Sequence, residues 1–376
     1  MKIAIVCPDA ARNPLVRTYP IARVLQRRHE VQVLGFRSGP EVFAPYRDAF
    51  AYDTAPLRAA PAFLAQAWAL AGRVRADAVL AFKPLASSLA AGLFARLRRR
   101  IPLFLDVEDD ELGGFFDGSW RDALHHLAHV ERAHGLLWTA LARPGAALAD
   151  EVFVVSRELQ RRFGGTRLVH GADTAAFDPA RFPRDAALRR VGLPDARYVV
   201  FTGTPNASKG LDDLLAAVER LGDGRLRLLV VGAFHDDGER RRLEARHGPR
   251  LLCLGPRPHD EMPHFLALAD VVALPQRLTR TTRAQVPGKV FEAMAMACPI
   301  LATAVSDLPE ILDGCGRVVP PADPDALATG LEALLARPDD ARNLGRAARE
   351  RCRERYSWDA MEGVLDARLA RWEGRA

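Results

Sequence analysis

Apolar residues in this chain fall into short unbroken blocks, separated by stretches in which apolar positions recur at helical spacing. In the first half the blocks are Ile3–Cys7, Val31–Phe36, Ala78–Phe82, Leu103–Val107, Glu151–Val155 and Leu168–His170. Between them the helical spacing covers Pro20–Arg28, Pro61–Arg75, Leu85–Arg99, Ser119–Leu141 and Arg157–Phe163. Continuous apolar blocks suit strands whose sheet is covered on both faces. Their alternation with helices predicts right-handed βαβ units and a parallel, doubly wound sheet. Asp178-Pro179-Ala180-Arg181-Phe182-Pro183 then interrupts the pattern as a proline-bearing polar linker.

Beyond the linker the alternation restarts. Strands are expected at Tyr198–Thr202, Arg227–Val231, Leu251–Leu254, Val271–Leu274, Ile300–Thr303 and Arg317–Val319. Helices are expected at Leu211–Leu221, Gly238–Arg246, Met262–Ala269, Lys289–Ala297, Asp323–Leu335 and Pro338–Arg355, with a closing amphipathic helix at Trp358–Trp372. The expected fold is therefore α/β: two Rossmann-like, doubly wound parallel-sheet domains, residues 1–180 and 185–355, facing a cleft, followed by a terminal segment, 356–376. Ligands of such sheets bind outside the carboxyl ends of the strands.

Composition narrows the function classes. At 376 residues the chain exceeds one ordinary core. With 49% apolar and 27% charged residues it reads as soluble and globular. No run reaches the roughly 18 apolar residues of a membrane span. Met1–Cys7 has one basic residue and a brief apolar run before Pro8, which reads as a first strand and not as a signal peptide. The five cysteines are scattered, and none forms C-x-x-C, so they read as buried thiols of a cytoplasmic protein. The net charge of +6 is spread through the chain, and no nucleic-acid footprint stands out. Only Lys2, Lys83, Lys209 and Lys289 are lysines.

Two of those lysines fall in the most informative segments. In Val286-Pro287-Gly288-Lys289-Val290-Phe291-Glu292, Lys289 and Glu292 stand at i and i+3, on one face of an expected helix. A helix N-terminus favours anions, and a carboxylate accepts hydroxyl hydrogens. The pairing suits a diphosphate attached to a ribose; the alternative is a core helix with solvated charges. In Phe201-Thr202-Gly203-Thr204-Pro205-Asn206-Ala207-Ser208-Lys209-Gly210-Leu211, a strand end, a glycine, a lysine and a helix start form a candidate diphosphate cradle. Alone it reads equally well as an ordinary βα loop. Val231-Gly232, Gly255-Pro256-Arg257 and Leu274-Pro275 punctuate strand edges on the same rim.

Other segments match in order: Arg28-His29-Glu30-Val31, Val154-Val155-Ser156, His170-Gly171-Ala172-Asp173 with Phe177 and Pro179, Ala269-Asp270, Lys289 to Ala295 with Pro299, and Tyr356-Ser357-Trp358. Together with the glycine and lysine loops, they make the chain resemble the retaining nucleotide-sugar glycosyltransferases of family 4, with the two-domain GT-B architecture. The resemblance spans residues 1–372. It implies that Lys209 neutralises the donor diphosphate and stabilises the leaving nucleotide, and that Glu292 accepts from the ribose hydroxyls. The backbone of Pro287, Gly288, Lys289 and Val290 would meet phosphate or sugar, with Gly203, Thr204, Gly232 and Arg257 completing the donor side. It further implies a UDP- or GDP-linked sugar donor, a hydroxyl-bearing acceptor, and no metal or other cofactor. Retention would follow from front-face attack without an enzyme nucleophile, unlike retaining glycosidases. The last helix would cross back to the N-terminal domain.

Three departures stand out. Where the family often carries a first glutamate, this chain has Ala284, which implies a different sugar pocket. Thr204 replaces a frequent arginine, with Arg257, Arg280 or Arg283 as substitutes. The family's glycine pair after the first strand is replaced by Ala10-Ala11-Arg12-Asn13-Pro14.

On the acceptor side, Asp106-Val107-Glu108-Asp109-Asp110-Glu111 follows a strand directly. Glu108 and Asp109 are catalytic candidates that would orient the acceptor or the donor's 6-position, and Asn13, Arg17 and Asp106 join Glu108 as acceptor-side candidates. The alternative is a solvated acidic helix start. His125, His126, His129 and His134 crowd the next helix, but a metal reading lacks the H-E-x-x-H pattern. Arg96, Arg98, Arg99 and Arg100 offset a helix dipole or, alternatively, form a peripheral contact with the inner face of a membrane. A nicotinamide oxidoreductase is disfavoured because Cys7–Asn13 contains no glycine. A catalytically silent sugar-nucleotide binder or assembly partner is the remaining rival. Polysaccharide, glycolipid and natural-product acceptors all stay open, as does the oligomeric state.

Overall fold

The computed structural model describes residues 1–118 and 120–373. The chain divides into two compact units. The first comprises Met1–His170, Arg283–Gln285 and the chain from Met361 on; the second comprises Gly171–Thr282 and Val286–Ala360.

The first unit holds a parallel seven-stranded sheet. Its strands are β1 (Lys2–Cys7), β2 (Glu30–Arg37), β3 (Tyr52–Pro56), β4 (Ala78–Phe82), β5 (Leu103–Val107), β6 (Glu151–Val154) and β7 (Thr166–Arg167), in the order β3-β2-β1-β4-β5-β6-β7. The core residues on these strands include Ala4, Val6, Val79, Ala81, Leu103 and Leu105, all nearly inaccessible. Ala284 is packed in the same cluster. The C-terminal segment is tied in by Arg27 and Arg28, whose guanidinium groups donate to Glu362 at 2.8 and 2.9 Å.

The second unit holds a parallel six-stranded sheet: β8 (Arg197–Thr202), β9 (Leu226–Val231), β10 (Leu251–Cys253), β11 (Val271–Leu274), β12 (Ile300–Thr303) and β13 (Arg317–Val319), ordered β10-β9-β8-β11-β12-β13. In both sheets the chain winds outward from a central strand and then restarts on its other side. The crevices at the carboxyl ends therefore open between β1 and β4 and between β8 and β11.

The α/β class and both parallel sheets match the expectation from the sequence. Local differences have identifiable causes. β3 is an edge strand whose sequence, Tyr-Asp-Thr-Ala-Pro, carries no apolar block, so no pattern marks it. The helix expected over Ser119–Leu141 is two helices, Trp120–Ala128 and Leu136–Ala142; Ser119 itself lies outside the described residues. The break is a tight turn at Gly135, where a β-carbon would stand 3.0 Å from the carbonyl oxygens of His129 and Arg132. The strand expected at Leu168–His170 lies instead at Thr166–Arg167, and just beyond it the Leu168 carbonyl accepts from the Arg17 guanidinium at 2.6 Å. All five cysteines are free thiols, and burial pushes those of Cys7, Cys298 and Cys352 up to about 12. No described helix is long and apolar enough to cross a membrane.

Candidate functional site

In the second unit three loops meet at the carboxyl edge of β8 and its neighbours. The loop after β8 is organised by Asn206, whose Oδ1 accepts from the Lys209 amide at 3.1 Å and from Ser208 Oγ at 2.7 Å. Gly210 follows with φ of 71°, and a β-carbon there would stand 1.8 Å from the carbonyl oxygen of Pro275. Only glycine combines that backbone conformation with that approach. The Arg277 amide then donates to Ser208 O at 2.9 Å, and the Arg277 guanidinium holds Asp213 at 2.6 and 2.7 Å. After β9, Gly232 packs so closely on Gly203 that a β-carbon would fall 2.2 Å from Gly203 O.

The helix Lys289–Ala295 delivers its charged residues to two ends of this edge. Lys289 Nζ donates to the carbonyl of Thr202 and lies 4.4 Å from the centroid of the Phe201 ring. Burial, then the neighbouring Lys209 charge, pull its amine down to about 7, against an opposing pull from Glu292. The two lysines thus share one field. One turn on, Glu292 Oε1 meets His259 Nε2 at 2.9 Å. Burial draws His259 downward, but the hydrogen bond and charge of Glu292, with Asp260 and Asp173, leave it above the ordinary histidine value. Pro287 and Val290 are buried, so what Val290 offers a ligand is backbone. Thr204 is half-buried and Gly203 exposed. Arg257 is exposed, its guanidinium 6.0 Å from the Phe265 ring centroid. The segment therefore offers two ammonium groups, a carboxylate with spare acceptor capacity and a closely packed backbone edge.

In the first unit the loop after β1 turns without glycine because Asp9 organises it. Its carboxylate accepts from the amides of Ala11 and Ser38, both at 3.0 Å, and from Ser38 Oγ at 2.5 Å. Asn13 stands exposed at the start of the Pro14–Leu25 helix. Arg17 and Asp106 are wholly inaccessible and form a bidentate pair at 2.8 and 3.1 Å. They are an internal pair and present nothing to solvent.

Lys83, which no sequence motif singled out, is the centre of the acidic cluster. It follows β4 directly and takes a left-handed conformation, φ 63°. Its Nζ lies 2.6 Å from Asp109, 2.7 Å from Glu111 and 3.5 Å from Glu108. Burial lowers its pKa, but the Asp109, Glu111 and Glu108 charges win and hold it well above the ordinary lysine value. Glu108 is only 6% exposed, so the solvated helix start is not what the structure contains. Burial pushes the Glu108 carboxyl up to about 8 despite Lys83, and His170 Nε2 lies 3.6 Å away. Gln285 Nε2 donates to Asp109 Oδ1 at 2.7 Å. The acidic run was legible in the sequence, but the only signals for Lys83 as its centre were the rarity of lysine and its position after an apolar block. Of the histidines, His125 and His129 have rings 4.3 Å apart, and His134 is buried with its Nε2 2.7 Å from Ser87 Oγ.

The sequence comparisons point to one family. A family model described as glycosyl transferases group 1 matches residues 196–337. The chain is 32% identical over 257 residues to a GDP-mannose-dependent alpha-(1-6)-phosphatidylinositol monomannoside mannosyltransferase of Mycolicibacterium smegmatis, covering 62% of this chain and 67% of that one. Sucrose-phosphate synthase (tll1590) from Thermosynechococcus elongatus shares the fold with a TM-score of 0.76 at 20% identity, covering 100% of both chains. Anabaena Alr3699/HepE in complex with UDP-glucose does so at 0.74 and 17%, covering 99% of this chain and 100% of that one.

Proposed function

Because the chain belongs to the group 1 glycosyltransferases of the family-4, GT-B type, we propose that it moves a sugar from a nucleoside diphosphate to an acceptor hydroxyl with retention and without a metal. The observation that carries this reading is the convergence of Lys209 and Lys289 on the edge of β8, with Glu292 on the same helix as Lys289. The two cations neutralise the diphosphate and the charge it gains as the glycosidic bond breaks. Glu292, steadied by His259, accepts from the ribose. Glu108 and Asp109, with Asn13, are the acceptor-side groups.

The curated relative acts on a phosphatidylinositol mannoside, and by analogy the acceptor proposed here is a cell-envelope glycolipid. Support comes from leucines exposed on the first unit beside Arg96, Arg98 and Arg99: Leu97 is 72% exposed, and Leu148, whose carbonyl accepts from Arg96, is 56% exposed. Such a surface fits an anionic membrane.

The test is a thermal-unfolding screen against UDP, GDP, ADP and NAD, with flotation on phosphatidylglycerol and phosphatidylcholine vesicles. One diphosphate at a hundredfold excess over its Kd is expected to stabilise the fold by about 2.7 kcal/mol, and the protein is expected to float with the anionic vesicles alone. A shift with NAD only would overturn the donor reading. Equal flotation on both lipids, or none, would remove the anionic-membrane contact.

Binding is also expected to depend on pH. A lysine that titrates near 7 when free and gains an anion when bound must take up a proton on binding above that pH. Affinity for the nucleotide sugar is then expected to fall by up to about tenfold per pH unit above 7. Calorimetry in buffers of different ionisation heat should register the uptake. Lys209 and Glu292 face Lys289, and His259 pairs with Glu292, so Lys289→Arg is expected to flatten the profile above pH 7. A flat wild-type profile between pH 6 and 9 would take Lys289 out of the phosphate contact.

A further inference from the structure

Directly after β11, at the β8/β11 crevice, the side chain of Gln276 is 1% exposed, and neither its Oε1 nor its Nε2 has a hydrogen-bond partner among the described residues. Burying an amide in this way is costly. Its backbone is held on both sides. Thr303 Oγ1 donates to the Gln276 carbonyl at 2.6 Å, the preceding Pro275 carbonyl meets Gly210, and the following Arg277 amide donates to Ser208. The residue is thus fixed against the loop that carries Lys209. The site has two ends: the Glu292–His259 pair, assigned to ribose, and the lysine end, to which Gln276 belongs. Beyond the diphosphate, on the lysine side, a donor carries its sugar. An amide supplies both a donor and an acceptor, which is what neighbouring sugar hydroxyls require.

Resting on the donor reading above, we propose that Gln276 is a specificity residue whose amide hydrogen-bonds the hydroxyl groups of the sugar on the nucleotide donor. The whole chain and its Gln276→Met and Gln276→Leu variants would be titrated calorimetrically with GDP, GDP-mannose, UDP and UDP-glucose, and melted without ligand. For whichever pair the wild type binds, both variants are expected to lose about tenfold in affinity for the nucleotide sugar, the loss of two neutral hydrogen bonds. Affinity for the parent diphosphate should stay within about twofold on the same scale. The melting temperature should hold or rise, because an apolar side chain replaces an unpaired amide. Unchanged affinity for the nucleotide sugar overturns the proposal. So does an equal loss for sugar nucleotide and diphosphate, which would place the amide at the base or phosphate, and so does a lowered melting temperature with both affinities lost. A wild type that binds none of the four ligands overturns the donor reading itself, and the inference falls with it.

Discussion

Replacing Asp106 with alanine is expected to cost the protein about 3–5 kcal/mol of stability, because the change leaves a buried guanidinium without its counter-charge. Both partners are at 0% exposure, and the pair ties β5 to the Pro14–Leu25 helix while Arg17 also holds the Leu168 carbonyl. Arg17 Nη1 already has no hydrogen-bond partner among the described residues, so the guanidinium has little in reserve. A second variant separates charge from packing: Arg17→Met with Asp106→Leu removes both ions and is expected to recover most of the loss, since a buried ion pair often does no better than apolar residues of similar volume. Urea unfolding followed by circular dichroism reads both. A loss below about 1 kcal/mol in the single variant would mean that the pair is reached by water and is not the internal tie described.

Lys209→Ala is expected to lower turnover by about a hundred- to a thousandfold, the scale on which a group stabilising developing charge contributes. Donor affinity should fall less, because the departing diphosphate bears more charge in the transition state than in the bound donor. The structure supports a rigid placement: the Lys209 amide is held by Asn206, and the next residue is locked on Pro275. Lys289 limits the size of the loss, for it shares the same edge and keeps one cation there. The readout is slow hydrolysis of the donor, which needs no acceptor, set beside the calorimetric Kd. Unaltered hydrolysis at saturating donor would end the catalytic assignment of Lys209, and a loss of affinity alone would make it a binding group only.

How far these assignments were legible in the sequence differs from segment to segment. β4 and β5 appear in the structure with the bounds that their apolar blocks mark, because a strand covered on both faces writes its length directly into composition. β3 left no such mark: an edge strand needs no apolar run. Lys289 and Glu292 could be placed on one helix by spacing alone, but the partner of Glu292 could not, since His259 lies 33 residues away and meets it only through tertiary packing. Lys83 shows the same limit. Its three carboxylates are grouped in one short segment, and the cation that gathers them comes from another strand. Gln276 was hidden for a different reason: an unpaired buried amide is a property of surroundings, which no residue pattern encodes.

The close approaches of Gly232 to Gly203 and of Gly210 to Pro275 have a consequence for how such a scaffold can diversify. At both places a carbonyl oxygen occupies the space where any side chain would begin. These positions are closed to substitution unless the loops themselves move. Variation at the edge of the second sheet is thereby channelled into the side chains between the fixed points, among them Thr204 and Gln276. A lineage built on this frame would inherit the shape of its cradle and be free to rewrite what the cradle recognises.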